Sequence, residues 1–252
     1  MEHIILVILP YLSDREKLNL LSTCRTFHAY IYKTTYTDKH CYYKVMNLSF
    51  IHNIKNIHLK TSDVLFTDHM LMHVTDLTFD RYFNKPVNIL PRNLTHLTFG
   101  HYFNQPIDNL PQSLIYLVLD WCFNQPVDNL PRNLKFLEVS WDFNQPIDKL
   151  PQSLKHLMIN GGFFNKPIDN LPPNLTHLAL GHWFNQPIDN LPQNLKYLIV
   201  SDDFNQSINH LPQSLTHLTI SSNFNQFINH LPNSLTHLTI SGDFNQSIDH
   251  LP

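Results

Sequence analysis

The sequence predicts a right-handed β-solenoid of about ten coils over residues 50–252, with short parallel strands and no helices on the return side, behind a short α-helical segment over residues 1–49. One observation is a Phe-Asn pair that recurs every 20 residues, with a single interval of 21, at residues 83, 103, 123, 143, 164, 184, 204, 224 and 244. Another is a Leu-x-x-Leu-x-aliphatic pattern that follows at a fixed distance within each complete copy. A repeat of this length buries its apolar face by stacking on its neighbours.

The N-terminal segment carries the signals of three short helices. The first is predicted by an apolar stripe at helical spacing, formed by Ile4, Ile5, Ile8, Leu9 and Leu12. Ser13 and Glu16 have the spacing of a capping box, which opens a second helix containing Leu18. A third helix is predicted from Cys24 to Ile31. So short a segment cannot enclose a core of its own, so we expect these helices to pack on a partner protein or on the end of the solenoid.

Each strand is predicted by apolar residues in alternation. In one copy Leu114, Leu117 and Leu119 point inward, while Tyr116 and Val118 point outward. The same pattern continues backwards in steps of 20 residues to 54–59, before the first Phe-Asn pair. We therefore expect ten strands, from 54–59 to 235–240, and a domain boundary near residue 50.

Two prolines in a typical copy, such as Pro106 and Pro111, prevent a helix on the return side because proline lacks an N–H and clashes with the preceding turn. The coils should lie roughly 4.8 Å apart, which is the spacing between strands in a sheet. The last copy is incomplete, so the final strand is only partly shielded, and self-association through it stays open. We nevertheless expect a monomer.

Residues that recur in every coil are predicted to be structural. The Phe83 to Phe244 column should form a core spine, and the adjacent Asn84 to Asn245 column an amide ladder between coils. The column represented by Asp108 exchanges Asp freely with Asn, which suits a turn cap because a cap needs only an acceptor oxygen. A calcium-binding repeat would need more than the five glycines present. Histidines on the outward strand face, such as His96, are interpreted as solvated surface imidazoles, so no metal site is predicted.

Composition excludes several other classes. The net charge of −3 leaves no basic footprint for nucleic acid or for a membrane surface. No apolar run approaches the roughly 20 residues that span a bilayer, and the N-terminus lacks the features of a signal peptide. Three widely spaced cysteines form neither a disulfide framework nor a metal site. We expect a cytoplasmic protein without cofactors.

Two parts of the chain resemble known families. The series Ile4-Ile5-x-x-Ile8-Leu9-x-Tyr11-Leu12, then Leu18 and Cys24-Arg25-x-Phe27, resembles an F-box. The Phe-Asn-x-Pro-Ile opening of the copies resembles the FNIP repeat, a relative of leucine-rich repeats. Together they resemble the F-box/FNIP proteins of large amoeba-infecting viruses and of social amoebae, which would place the chain in a host cytoplasm if it is viral.

This resemblance implies a role in ubiquitin conjugation. It implies docking onto the Skp-type adaptor of a cullin-based ubiquitin ligase through Ile4, Ile5, Ile8, Leu9, Leu12 and Leu18. F-boxes usually begin with a Leu-Pro pair and an acidic residue, whereas here Met1 takes the place of the proline and His3 that of the acidic residue. The alternative is that the helices only cap the first coil of the solenoid.

Outward residues that differ between copies predict where a target protein binds. The middle coils carry large or charged side chains at these positions, and the predicted target-binding residues are Tyr116, Val118, Trp121, Phe136, Glu138, Trp141, Met158, Trp183, Tyr197 and Ile199. The alternative is that the three tryptophans fold over neighbouring coils as packing caps.

Four function classes compete. The resemblance favours a substrate receptor of a ubiquitin ligase, and a scaffold without a ligase link is the alternative. Regular threonines such as Thr216 are typical of ice- or polysaccharide-binding arrays, but Lys135 and Glu138 break the regularity. No nucleophile–base arrangement appears in the sequence, so we do not expect an enzyme.

Overall fold

Each repeat contributes one strand to a single parallel sheet. The computed structural model describes residues 9–22, 31, 34–49, 51–62, 66, 68–221, 223–249 and 251. Within these residues eleven strands follow one another in chain order: β1 (Tyr36–Cys41), β2 (Ile54–Thr61), β3 (Asp76–Phe79), β4 (His96–Phe99), β5 (Tyr116–Leu119), β6 (Phe136–Val139), β7 (His156–Ile159), β8 (His177–Leu180), β9 (Tyr197–Val200), β10 (His217–Ile220) and β11 (His237–Ile240). The predicted parallel solenoid is confirmed.

Three α-helices accompany the sheet in the described part of the chain: α1 (Asp14–Ser22), α2 (Tyr42–Val45) and α3 (Asp68–His73). Short 3₁₀ turns span Leu9–Tyr11 and Ile51–Asn53. None of the helices in the described ranges is both long enough and apolar enough to cross a bilayer. Both α2 and α3 lie in coils that precede the first Phe-Asn pair. Because α3 lies between β2 and β3, the expectation of no helices on the return side is wrong for this coil, which lacks the prolines of the later copies. From residue 80 onwards the described residues contain no helix, as the prolines of these copies predict.

Equivalent residues of successive coils stack in register. Leu117 pairs with Leu137, and Val118 pairs with Glu138, at an interval of one repeat. Leu114, Leu117 and Leu119 are buried as predicted, while Tyr116 and Val118 are only half-buried on the outward face. Because each repeat position occupies one column, a side-chain difference between copies becomes a local difference in the surface.

The phenylalanine column forms the predicted core spine. From Phe103 to Phe224 these rings are fully buried. Successive ring centroids from Phe83 to Phe244 lie 6.0 to 6.3 Å apart, and the ring planes are nearly parallel. Each ring therefore packs on the rings of the coils before and after it, which makes the core continuous along the solenoid axis.

The sheet begins earlier than the ten predicted strands. The additional strand β1 pairs with β2 in parallel, with a register shift between Tyr36 and Lys39. Within β1 only Tyr36 is buried, so the strand lacks the apolar alternation from which a strand is predicted. The sheet therefore starts before residue 50. The domain boundary near that residue stays a prediction.

The predicted capping box is present at the start of α1. The Ser13 N–H donates to Glu16 Oε2 at 2.8 Å, and the Ser13 hydroxyl donates to the same oxygen at 2.6 Å. In return the Glu16 N–H donates to Ser13 Oγ at 3.4 Å. Most of the first and third predicted helices, at residues 1–8 and 23–30, lies outside the described residues; Leu9 lies in a 3₁₀ turn and Ile31 in a turn.

A buried carboxylate fastens α1 to β1. Asp14 is fully buried and accepts hydrogen bonds from the backbone N–H groups of Thr37 at 3.0 Å and Asp38 at 2.8 Å. Lys17 Nζ and His40 Nε2 each lie 2.8 Å from its oxygens. Burial by itself would raise the pKa of Asp14, but the hydrogen bonds from Lys17, His40 and the backbone outweigh burial and hold the pKa below its ordinary value.

Candidate protein-interaction surface

The outward face of the sheet carries a continuous stack of rings, which we call the aromatic ladder. One residue at the start of each strand from β4 to β11 contributes to it: His96, Tyr116, Phe136, His156, His177, Tyr197, His217 and His237. Neighbouring ring centroids lie 4.1 to 6.0 Å apart. In-register parallel pairing brings these rings together, because it places the same repeat position of every coil in one column.

A second outward column runs beside the aromatic ladder, two residues further along each strand. In its middle it contains Val118, Glu138, Met158, Ala179 and Ile199, which pair from strand to strand. Threonine occupies the same position in β3, β4, β10 and β11. The middle coils thus present apolar and charged groups of very different size where the outer coils present threonine.

Two of the predicted tryptophans stack on each other in the loops that follow the strands. The Trp121 and Trp141 ring centroids lie 5.0 Å apart, with planes inclined by 16°. His101 stacks on Trp121 at 5.1 Å, and His182 lies 5.5 Å from Trp141. Trp121 is still 42% exposed, so this stack buries only part of the indole. It packs against neighbouring coils and remains accessible to a partner at the same time.

Gly162 gives Trp141 the space that it occupies. A Cβ atom at this glycine would lie 2.9 Å from the Trp141 ring, which is closer than real Cβ atoms approach. The glycine belongs to the copy with the 21-residue interval, where no side chain continues the tryptophan column. The irregular copy is therefore part of the tryptophan site, since it lets the indole lie across the next coil.

The third tryptophan is not part of that stack. Trp183 directly precedes the spine phenylalanine Phe184, whereas Trp121 and Trp141 each lie two residues before theirs. It packs edge-to-face with Phe163, with ring centroids 4.8 Å apart, and both side chains are exposed. The structure therefore divides the ten predicted target-binding residues between the aromatic ladder, the column beside it, the Trp121–Trp141 stack and the Trp183–Phe163 pair.

The ladder histidines face outward, but those in the middle are not free in solvent. His156 and His177 are half-buried between neighbouring rings. Burial, reinforced by the charge of Lys155, lowers the pKa of His156. For His177 burial is again the main cause of the lowered pKa, followed by His156, Lys196 and His217.

A recurring Thr-His pair holds several ladder histidines in place. The Thr176 hydroxyl donates to the Lys155 carbonyl at 3.0 Å and lies 2.8 Å from His177 Nδ1. The hydroxyl has one hydrogen to donate, so which of these two atoms accepts it depends on the tautomer of His177. The same arrangement recurs at His96, His217 and His237. Repetition of Thr-His in the sequence was the signal that could have predicted it.

The asparagine column forms the predicted amide ladder. Asn104 Oδ1 accepts from the Asn124 N–H at 3.0 Å and from Gln125 Nε2 at 3.0 Å. Asn124 Oδ1 in turn accepts from the Asn144 N–H and from Gln145 Nε2, each at 3.0 Å. These bonds satisfy backbone groups in the turn, beyond the end of the strand hydrogen bonds. The column is structural.

Asn124→Ala is expected to destabilise the solenoid by about 1–3 kcal/mol, because the Asn144 N–H and the Gln145 amide lose their shared acceptor. Urea denaturation measures the loss, and hydrogen exchange should accelerate at the Asn144 amide. The matched control is Asn129→Ala, which removes one exposed bond to Asp108 and should cost under about 0.5 kcal/mol. Equal losses in the two variants would contradict the structural role.

The Asp and Asn column also links neighbouring coils. Asp108 accepts from Asn129 Nδ2 at 2.9 Å, and Asp189 pairs with His210 Nδ1 at 2.9 Å. Among the described residues, no three His, Cys, Asp or Glu side chains come close enough together to hold a metal ion. These carboxylates make side-chain contacts across coils instead.

The predicted adaptor-binding residues are only partly described. Leu9 is buried, Leu18 is partly buried and packs against the core, and Leu12 is half-buried. Ile4, Ile5 and Ile8 lie outside the described residues. Adaptor docking through these six residues stays a prediction.

Comparison with known proteins identifies the repeat. A model of the family described as "FNIP Repeat" matches more than half of the chain, at residues 83–122, 103–138, 123–162, 164–203, 184–223 and 204–243. Among curated proteins, "Putative F-box protein L168" of Acanthamoeba polyphaga mimivirus is 35% identical over 91 residues, which are 36% of this chain and 43% of that protein. The match thus spans less than half the length of that relative.

Solved structures support the same fold. A protein described as "CroV588 a novel circular LRR protein structure" superposes with a TM-score of 0.68 at 37% identity, over 79% of this chain and 36% of that chain. An internalin of Listeria monocytogenes superposes with a TM-score of 0.53 at 18% identity, over 84% of this chain and 72% of that chain. The architecture is therefore that of a leucine-rich-repeat-like solenoid.

Proposed function

The chain belongs to the FNIP repeat family, and from that premise we propose that it is the substrate-recognition subunit of a cullin-based ubiquitin ligase. The solenoid is a protein-interaction scaffold. In the proposed role its N-terminal helices bind a Skp-type adaptor, and its outward face holds the protein to be ubiquitinated. The chain needs no catalytic residue for this role, because the other subunits of the ligase carry out the ubiquitin transfer.

The observation that carries target binding is the surface formed by the aromatic ladder and the Trp121–Trp141 stack. Tryptophan and tyrosine are enriched at the energetic centres of protein interfaces, and a monomer seldom leaves such a cluster exposed without a partner. Trp121, Tyr197 and Ile199 are each more than one-third exposed on this surface. Val118, Phe136 and Met158 lie between them and are half-buried.

The ligase link rests on the N-terminal resemblance and on relatives named as F-box proteins. We propose that Ile4, Ile5, Ile8 and Leu12 contact the adaptor, together with the solvent-accessible atoms of Leu9 and Leu18. The protein would act as a monomer in the cytoplasm, which is the host cytoplasm for a viral protein.

A second candidate function is a scaffold without a ligase link. It is favoured by the way α1 is fastened to β1 through Asp14, with Leu9 and Leu21 buried. These contacts suit an N-terminal cap that shields the first coil of the solenoid. The two candidates differ in one measurable property, which is direct binding of the adaptor.

The expected result is that the full-length protein binds a purified Skp-type adaptor–cullin complex and that Ile5→Glu combined with Ile8→Glu weakens binding at least tenfold. Charged side chains at these positions would have to be desolvated in an apolar contact. Biolayer interferometry measures the affinity, and thermal unfolding checks that the variant is folded.

The matched control is Trp121→Ala combined with Trp141→Ala, which removes the tryptophan part of the proposed target surface and should leave adaptor affinity unchanged. If the unmodified protein does not bind the complex, the ligase proposal fails and the scaffold becomes the supported function. If the tryptophan variant loses adaptor binding as well, the proposed separation of the two surfaces is wrong.

A further inference from the structure

A small residue opens a gap in the outward face beside the aromatic ladder. Ala179 pairs with Met158 on one side and with Ile199 on the other. It leaves a cavity of about 150 Å³, lined by His156, Leu157, Met158, His177, Leu178, Ala179, Tyr197 and Ile199. We call this cavity the Ala179 socket. The cavity has side walls because the side chains around Ala179, such as Met158, His177 and Ile199, are large.

The walls of the socket are apolar or uncharged at neutral pH. The ring centroid of His177 lies 4.2 Å from that of His156 and 4.3 Å from that of Tyr197, so both faces of the His177 ring are covered by neighbouring rings. Burial, with smaller contributions from neighbouring positive groups, lowers the pKa of both histidines, so that they are neutral at pH 7. The socket opens on the outward face of the sheet, and its volume of about 150 Å³ suits one aliphatic side chain.

Two lysines neighbour residues of the aromatic ladder that line the socket. Lys155 and Lys196 are exposed and directly precede His156 and Tyr197 in the chain. The charge of Lys155 helps to lower the pKa of His156, and the charge of Lys196 helps to lower the pKa of His177. The carboxylate of Glu138 lies one strand further along the sheet, where it accepts a hydrogen bond from Asn160 at 2.9 Å.

We propose that the Ala179 socket anchors one leucine-sized aliphatic side chain of a partner protein segment whose adjacent residues are acidic. The inference rests on the proposed target-binding role of the solenoid and names the part of the target that is recognised. Insertion of the side chain removes its apolar surface and that of Met158 and Ile199 from water. The flanking carboxylates pair with Lys155 and Lys196, which selects acidic segments over basic ones.

A direct test uses the full-length protein with ¹³C-labelled Ala, Met and Ile methyl groups and the peptide acetyl-Glu-Leu-Glu-amide as the probe. Saturable shift changes are expected at the Ala179, Met158 and Ile199 methyl signals. Acetyl-Glu-Ser-Glu-amide lacks the anchor, and acetyl-Lys-Leu-Lys-amide reverses the flanking charge. Each of these peptides should bind at least tenfold more weakly.

Ala179→Met fills the socket and should weaken binding of the Glu-Leu-Glu peptide at least tenfold. The fold accommodates methionine in this column, because Met158 already occupies the equivalent position one coil earlier. The matched control is Thr98→Met, which places the same side chain in the same column on β4 and should bind the peptide normally. Methyl shifts at Ile199 report occupancy in both variants.

Absence of a saturable shift with the Glu-Leu-Glu peptide, or undiminished binding by Ala179→Met, overturns the anchor site. Equal binding of the Lys-Leu-Lys peptide overturns the preference for acidic segments. Adaptor affinity is measured separately, so peptide binding without adaptor binding rejects the ligase role alone. Adaptor binding without peptide binding rejects the socket alone.

Discussion

Phe143→Ala is expected to destabilise the protein by about 3–5 kcal/mol, which is the usual cost of deleting a buried aromatic ring together with the cavity that it leaves. The Phe143 ring is fully buried, and its centroid lies 6.3 Å from Phe123 and 6.0 Å from Phe164. The loss removes contacts to both neighbouring coils. It is a large part of the roughly 5–15 kcal/mol that stabilises a typical domain.

Urea denaturation followed by circular dichroism measures this loss. The matched control is Phe227→Ala, which deletes the same ring where the side chain is 64% exposed and should change the free energy of unfolding by about 0.5 kcal/mol or less. If the two variants lost similar stability, the phenylalanine spine would not be the main support of the solenoid.

Asp14→Asn is expected to cost about 3–5 kcal/mol, because it removes one partner of a buried ion pair and leaves the Lys17 ammonium without its counter-charge. The Thr37 and Asp38 amides also lose a charged acceptor. Hydrogen exchange at these two amides should accelerate as α1 detaches from β1, and urea denaturation gives the total loss.

The pH dependence of stability has a defined sign at this site. The folded-state pKa of Asp14 is lowered, so its stabilising contribution is present above the unfolded-state pKa of about 3.9 and is lost as the pH falls through the lower folded-state value. Asp14→Asn should abolish this contribution. Asp128→Asn is the exposed control, since Asp128 pairs with Lys149 at the surface, and should cost under about 1 kcal/mol.

Adding Lys17→Met to Asp14→Asn should recover part of the stability, because the double variant no longer buries an unpaired ammonium. A double variant no more stable than Asp14→Asn alone would show that the carboxylate acts mainly through the backbone amides of β1.

The repeated part of the fold can be predicted from the sequence because the same residue types recur at equivalent positions of successive copies. Phe143 and Asn124 sit in columns that recur in each copy, and a residue required by the core must recur in this way. Strand β1 could not be predicted from the sequence, because Tyr36 is its only buried residue and the strand therefore lacks an apolar alternation. Its place in the sheet comes from pairing with β2 and from the Asp14 network, which is a long-range contact.

The candidate site is less predictable than the fold. Residues such as Trp121 and Tyr197 stand out because they are large where other copies differ. Ala179 does not stand out in this way, because it is small. Its role comes from the volume that it leaves empty between Met158 and Ile199. The contact between Trp141 and His182 also depends on space left by Gly162, which only the packing of neighbouring coils reveals.

In-register stacking has a consequence for how this chain can evolve. Because core columns such as Phe143 and outward columns such as Ala179 occupy different positions in each repeat, recognition can diversify while the core sequence is held constant. Duplication or loss of a whole repeat would change the length of the surface without altering the register of the remaining coils. The extra residue near Gly162 shows that one coil can also absorb a length change within its loop.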